Sequence, residues 1–388
     1  MRDFMQEIPL KGDRLESAVK HAAEQTRSCL EEFSGYFKYS HSTNLFYPKS
    51  ENVEWTTGFW TGELWLMYEL TGEAAFRRKA LEHVPSFLLR ILDRVDVNHH
   101  DMGFLYSPSC VAAYKLEGSE EGKRAALLAA DNLVSRFQEK GQFIQAWGEL
   151  GARDNYRLII DCLLNVPLLF WATEVSGNGY YAEIGTRHIE TSMKYILRQN
   201  DSTYHTYFFD PETGRPLRGI TRQGYRDESV WARGEAWGIY GSILAFRYLH
   251  NEEYLDIFWR LLNFFLDHLP EDSIPYWDFD EELPRDEPRD TSAAAIAVCG
   301  MLEGARVLGE DDSRKLRDWA ERLMGVLYRS AAVKDPSLSN GQLLHGTYAR
   351  KSPFNPCNDR GVDECCLWGD YFYVEALRRL SGDWNPYW

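Results

Sequence analysis

Glu69-Leu-Thr-Gly-Glu73 stands between an apolar stretch that ends at it and the amphipathic run Ala74–Leu92. A glycine at such a point suits the left-handed residue that closes a helix, and an acidic, Ser or Asn residue just after it suits the N-cap of the next. The stretch therefore reads as two helices joined by a tight turn. The same punctuation recurs at Lys115-Leu-Glu-Gly-Ser119 before Glu120–Phe137, at Glu174-Val-Ser-Gly-Asn178 before Tyr180–Leu197, at Tyr248-Leu-His-Asn-Glu252 before Tyr254–Leu269, and at Val307-Leu-Gly-Glu-Asp311 before Ser313–Tyr328. A sixth instance, Arg379-Leu-Ser-Gly-Asp383, finds its partner in the helix expected over Arg14–Phe33, where Leu15, Ala18, Val19, Ala22, Leu30 and Phe33 keep helical spacing. Period-2 runs are short and none is framed by an Asn-Gly turn, which argues against a sheet-based fold. Six self-similar helical hairpins predict an all-α chain, a single (α/α)6-barrel domain over residues 1–388 with six inner and six outer helices; an open helical solenoid is the alternative.

The segments between hairpins are Glu54–Trp60, His99–Tyr106, Gln145–Asp161, Gly219–Glu235, Tyr276–Ser292 and His345–Asp370. Each precedes an inner helix, so a closed ring gathers all six at one end. They are rich in Trp, His, Arg and Asp. Asp161 lies among Leu158-Ile-Ile and Cys162-Leu-Leu, where an ionised acid is costly unless it is paired or working. Asp101 opens the neighbouring inner helix. Either aspartate suits an N-cap, but two carboxylates at one end of a barrel are also what glycosidic chemistry uses. Trp55, Trp60, Trp147, Trp231 and Trp237 lie on or beside the same loops, and aromatic faces stack on sugar rings as readily as they fill cores. Arg233 is placed either to pair with a nearby acid or to grip a substrate carboxylate with its planar fork. His99-His100-Asp101 is a weak metal motif: adjacent side chains diverge and no HExxH follows. No metal or other cofactor is expected.

The bulk numbers limit the partners. The formal net charge is −16, from 59 acidic against 43 basic residues, so nucleic acid and other long polyanions are repelled while a short anionic ligand in a local pocket is allowed. No apolar run reaches membrane-spanning length, and the N-terminus lacks a secretory pattern, so a cytoplasmic chain with no membrane partner is expected, as a monomer or homodimer. The seven scattered cysteines read as free thiols.

Taken together and in order, Glu54-Trp-Thr-Thr-Gly-Phe-Trp-Thr-Gly62, His99-His-Asp-Met-Gly-Phe-Leu-Tyr-Ser107, Ile144-Gln-Ala-Trp-Gly148, Ile159-Ile-Asp-Cys-Leu-Leu-Asn165, Ser202-Thr-Tyr-His-Thr-Tyr207, Trp231-Ala-Arg-Gly-Glu-Ala-Trp237, Tyr276-Trp-Asp-Phe279 and Leu367-Trp-Gly-Asp-Tyr371 resemble the unsaturated glucuronyl hydrolases, glycoside hydrolase family 88. The resemblance implies an (α/α)6 barrel and a metal-free hydrolase that releases 4,5-unsaturated uronic acid from the non-reducing end of lyase-generated oligosaccharides. It implies Asp161 as general acid and base and Asp101 as the second essential aspartate. Substrate contacts would come from Trp55, His100, Trp147, His205, Gln223, Trp231, Arg233 and Trp237. The related unsaturated rhamnogalacturonyl hydrolases, acting on pectin fragments, share fold and acid; a sugar epimerase using His100 and His205 is a more distant alternative. One departure stands out. Family members acting on sulfated substrates tend to carry Ser-x-x-Ser-x-Lys after the tyrosine of the last loop, and here Ala349 replaces the first serine. The expectation is that Lys351 or Ser352 makes the contact to an anionic group on the second sugar instead.

Overall fold

The computed structural model describes residues 3–388 other than Arg285. Among them the inner helices are α2 (Thr57–Thr71), α4 and α5 (Met102–Tyr106 and Ala112–Glu117), α7 (Pro167–Ser176), α9 (Ala232–Leu249), α11 (Thr291–Val307) and α13 (Leu367–Leu380). The outer helices are α1 (Asp13–Glu32), α3 (Ala74–Leu92), α6 (Glu120–Val134), α8 (Gly179–Ile196), α10 (Glu252–Asp267) and α12 (Glu310–Ser330). A π-turn at Ser107–Val111, which contains Pro108, joins α4 to α5, and a 3-10 turn, Ile160–Leu164, leads into α7. Successive inner helices lie side by side, α9 meeting the Ile160–Leu164 turn that leads into α7, and α13 returns to α2, closing the ring; α1 covers α13 as the sixth outer helix. The expected barrel is present.

The turns explain the spacing. Gly72, Gly118 and Gly177 take left-handed φ of 73°, 65° and 74° at the ends of α2, α5 and α7. Ser119, Asn178 and Asn251 then cap α6, α8 and α10 through their side chains. His250 takes the left-handed place in the fourth turn, and Gly309 is instead the extended N-cap of α12. Helices α10 and α12 start earlier than expected because the acidic residues Glu252, Glu253, Glu310, Asp311 and Asp312 belong to their first turns, where they favour the helix dipole.

Inner helices are buried on every side: all residues from Thr57 to Met67 of α2 and from Ala232 to Ala245 of α9 are buried, whereas the outer helices present one apolar stripe. Close approach of inner helices depends on glycine. A Cβ at Gly58 would lie 2.3 Å from the Phe104 carbonyl oxygen, and one at Gly103 would lie 2.3 Å from Asn165 Cα. The far end of the barrel is filled by residues 384–388. Trp388 stacks on Phe372 and donates Nε1–H to Glu375, while Trp384 and Tyr387 both donate to Glu69.

Small antiparallel sheets stiffen the loops. They are β1 (Phe37–Lys38) with β2 (Lys49–Ser50), β3 (Phe137–Gln138) with β4 (Phe143–Ile144), β5 (Arg157–Ile159) with β6 (Thr206–Phe209) and β7 (Pro216–Ile220), and β8 (Gly346–Ala349) with β9 (Arg360–Glu364). The β6–β7 connection was invisible as a hairpin because it is not a two-residue turn. Asp210 accepts from the N–H groups of Glu212 and Thr213, and Gly214 takes φ 70°.

Candidate active site

The loops at the N-terminal ends of the inner helices enclose a cavity of about 540 Å3. Asp101, Asp161, Trp55, His100, Trp147, His205, Gln223, Trp231, Arg233 and Trp237 all line it. Three of them form its acid-base centre. His100 Nε2 lies 3.4 Å from Asp101 Oδ1 and 3.3 Å from Asp161 Oδ1. Asp101 occupies the N-cap position of α4, yet its side chain makes no capping hydrogen bond. Instead His99 Nδ1 sits 3.0 Å from its Oδ2. Asp161 Oδ1 is buried without a hydrogen-bond partner.

The two carboxyls are driven in opposite directions. Burial pushes Asp161 well above the ordinary carboxylate range, and the charge of Asp101 adds to it; Arg233 and the N–H groups of Asp161 and Cys162 offset only part. Burial also works to raise Asp101, but the facing His100, the adjacent His99 and the Arg136 charge bring it below its ordinary value. Burial lowers His100 to about 4, so the imidazole is neutral at pH 7. The arrangement is one protonated carboxyl beside one ionised carboxylate, the division of labour an acid-base site requires. The ligand atoms of His100, Asp101 and Asp161 lie within 4.8 Å of one another, close enough to hold a cation, but Asp161 would first have to lose the proton its surroundings favour.

Aromatic walls and fixed positive charge surround this centre. Trp55 stacks on Trp368 at 5.2 Å and donates Nε1–H to the Tyr348 hydroxyl at 2.9 Å. Trp237 packs on Phe104 at 5.2 Å. His205 lies 4.3 Å from the Trp231 ring, and its Nδ1 accepts the backbone N–H groups of Arg222 and Gln223 at 3.0 and 3.2 Å. Burial, then the charges of Arg233, Arg157 and Arg222, keep this ring neutral. Its one proton is therefore on Nε2. An epimerase needs one histidine to take a proton while its partner gives one, and burial disfavours the protonated form of both His100 and His205.

Arg233 lines the cavity and also makes an ion pair. Nη1 reaches Asp290 Oδ2 at 2.5 Å and the Thr347 carbonyl at 2.7 Å, and Nη2 reaches the Tyr348 carbonyl at 2.6 Å. It contributes charge beside Asp161 while its fork holds the loop of β8. Lys351 is exposed and Ser352 is buried, and neither lines the cavity. Ser352 Oγ is turned into its own loop, donating to the Tyr225 carbonyl and accepting the N–H groups of Phe354 and Asn355. The charge of neighbouring Arg350 is matched by Glu287 and Asp359. That loop instead presents Tyr348, Ala349 and residues 356–360 to the cavity. Trp60 is a core residue, its ring beneath the Lys38 ammonium at 4.2 Å.

Sequence reasoning missed Arg222 and Tyr348. Arg222 is exposed at the cavity wall and forms no ion pair among the described residues. Nothing in Thr221-Arg-Gln223 separates it from an ordinary solvated arginine. Tyr348 was signalled only by the short alternation of Gly346-Thr-Tyr-Ala349.

The sequence pattern of Glycosyl Hydrolase Family 88 matches residues 29–336. The unsaturated chondroitin disaccharide hydrolase of Streptococcus pneumoniae (strain ATCC BAA-255 / R6) is 46% identical over 387 residues, covering 98% of this chain and 96% of that one. The crystal structure of an unsaturated glucuronyl hydrolase from Streptococcus agalactiae superposes with a TM-score of 0.94 at 42% identity, covering 100% of this chain and 96% of that one. A mutant of the unsaturated glucuronyl hydrolase from that organism, complexed with dGlcA-GalNAc6S, matches at TM-score 0.86 and 38% identity over 100% of this chain and 96% of its own.

Proposed function

The chain belongs to glycosyl hydrolase family 88, and from that premise we propose that it is a glycosidase releasing 4,5-unsaturated uronic acid from the non-reducing end of glycosaminoglycan-derived oligosaccharides. One observation carries the reading: Asp161 and Asp101, pushed to opposite protonation states, meet across His100 in an aromatic cavity. The relatives named above act on or bind substrates of this class.

The substrate is an enol ether, with C4=C5 conjugated to the ring oxygen. Protonated Asp161 delivers its proton to C4, leaving oxocarbenium character at C5 and the ring oxygen. Ionised Asp101 and neutral His100 stabilise that positive charge without competing for the proton. The Asp161 carboxylate then takes a proton from water as the water oxygen bonds to C5. The C5 hemiketal opens by breaking its bond to the ring oxygen, and the hemiacetal left at C1 expels the second sugar. Water is consumed, Asp161 recovers its proton, and no oxidant or reductant is needed.

Binding follows from the walls. The tryptophans bracket the sugar faces, His205 offers an Nε2–H donor, and Arg222 and Arg233 supply positive potential for the uronate carboxylate in a chain of net charge −16. We place the enzyme in the cytoplasm as one catalytic domain, a monomer or homodimer without nucleic-acid or membrane partners. Its seven cysteines are all free thiols, which suits a reducing compartment, and no described helix is long and apolar enough to cross a membrane. The deciding experiment is incubation with unsaturated chondroitin disaccharides. The enol-ether absorbance disappears as free amino sugar accumulates; absorbance that persists while the protein is folded overturns the assignment.

A further inference from the structure

In the sheet β5–β6–β7 the register sets Ile159, Thr206 and Ile220 in one row and Arg157, Phe208 and Arg218 in the next. Directly opposed residues share a face, and residues two apart along a strand do too, so both rows lie on one side. The other side is closed by packing: Tyr207 meets Tyr195 of α8 at 5.5 Å, and a Cβ at Gly219 would strike the Tyr204 ring. Ile159 lines the cavity. The row of Arg157, Phe208 and Arg218 is one side-chain step, roughly 7 Å, further along the same face.

That row carries charge that no ion pair holds, though Asp154 lies near enough to act on Arg157 through space. Arg157 is 5% exposed, its guanidinium lies 4.4 Å from the Trp147 ring and 5.1 Å from the Phe208 ring, and its Nε has no hydrogen-bond partner. It forms no ion pair among the described residues. Arg218, on the exposed edge strand, forms none either. Arg226, Arg260, Arg289 and Arg350, on other segments, each hold a carboxylate at 3.1 Å or less. A buried cation with no direct ion-pair partner is expensive to keep, and Phe208 between the two arginines is a half-buried ring of the kind that stacks on sugars. Trp147 belongs to both places, lining the cavity and covering Arg157.

We propose that this face is a second saccharide subsite. It takes the acidic group of a third or fourth sugar in an anionic oligosaccharide, with Arg218 making the contact and Arg157 supplying charge beneath Trp147. The proposal rests on the activity assigned above and extends it to substrate length.

The test uses Asp161→Asn protein, in which turnover is slowed so that binding can be read, titrated calorimetrically with an unsaturated disaccharide and an unsaturated tetrasaccharide of the same polymer. The tetrasaccharide is expected to bind about tenfold tighter, the gain of a charge-assisted contact. Adding Arg218→Gln, an exposed change that leaves the fold alone, is expected to bring the tetrasaccharide within about twofold of the disaccharide and leave the disaccharide unmoved. The advantage shrinks as salt rises. Equal affinity for both lengths, or an advantage indifferent to Arg218→Gln, overturns the proposal. Failure of both saccharides to bind folded protein is a different result and overturns the activity itself.

Discussion

At the barrel end away from the loops, Glu303 of α11 receives Arg379 and Arg247 at 2.8 Å each and Arg306 at 2.6 Å. Glu375 beside it accepts from Arg379, Tyr240 and Trp388. At the loop end, Asp161 Oδ1, His100 Nδ1 and Arg157 Nε are buried with no partner. Burial works to raise the carboxyl at both places. At Glu303 the charges of Arg379, Arg247 and Arg306 overturn it and hold the group far below the carboxylate range, whereas at Asp161 the next influence, Asp101, pushes the same way as burial. One fold therefore handles one penalty in two ways: a saturated network that makes the acid inert, and an unsaturated one that leaves it reactive.

The strongest test of that contrast is Asp161→Asn. It removes the transferable proton, so kcat should fall by about 10²–10⁴-fold; near-normal turnover by folded variant would return Asp161 to a structural role. Stability should move the other way. A raised carboxyl contributes fully below its unfolded value and loses that contribution as pH rises, so at pH 7 Asp161 is a cost, and the Asn variant should melt no lower than the parent.

Glu303→Gln is the mirror experiment. It leaves buried guanidinium charge uncompensated, and urea unfolding should show a loss of about 3–5 kcal/mol with kcat of the folded fraction little changed. Because the Glu303 pKa is depressed, its contribution is present above the ordinary carboxylate value and is lost as pH falls toward the folded one. The variant should lack that acid-dependent loss. A Gln variant as stable as the parent would show that the far network is ornamental.

Asp101→Asn sharpens the loop end further. The Asp161 pKa would still be raised by burial but no longer by its neighbour, so the alkaline limb of the residual pH–rate profile should move to lower pH. An unmoved limb would mean that Asp101 does not tune Asp161. Smaller still is the effect at the rim. Arg222→Gln should raise KM roughly five- to tenfold at low salt and less as salt rises, for sulfated and unsulfated disaccharides alike because both carry the uronate carboxylate, while Lys351→Ala changes either by less than about twofold. The opposite ranking would restore Lys351 to the site. The smallest expected effect is none at all: exhaustive chelation should leave the rate intact, and loss of activity reversed by added zinc or calcium would recast His100, Asp101 and Asp161 as ligands.

The helical hairpins were legible because their signals are local. Gly72 and Ser119 act within a few residues of themselves, and the loops that gather the chemistry follow from the hairpin count. Asp101, Asp161 and the cavity tryptophans were legible by residue type in those loops. What escaped depends on distant partners. Ser352 is turned away from the cavity by Tyr225, Arg233 is held by Asp290, and Arg350 is neutralised by Glu287. None of these pairings leaves a mark in the local sequence, so the choice among Arg222, Lys351 and Arg350 as the exposed charge at the cavity required the fold.

The rings of Trp237, Phe372 and Trp388 follow one another down the middle of the barrel, with Trp388 held by Glu375 and Trp384 and Tyr387 of the same tail held by Glu69. The barrel is thus a cup and not a pipe. Nothing threads through it, so a polymer can offer only its tip. The detached acid and the shortened remainder must back out through the doorway by which they entered, and every turnover ends with the saccharide let go.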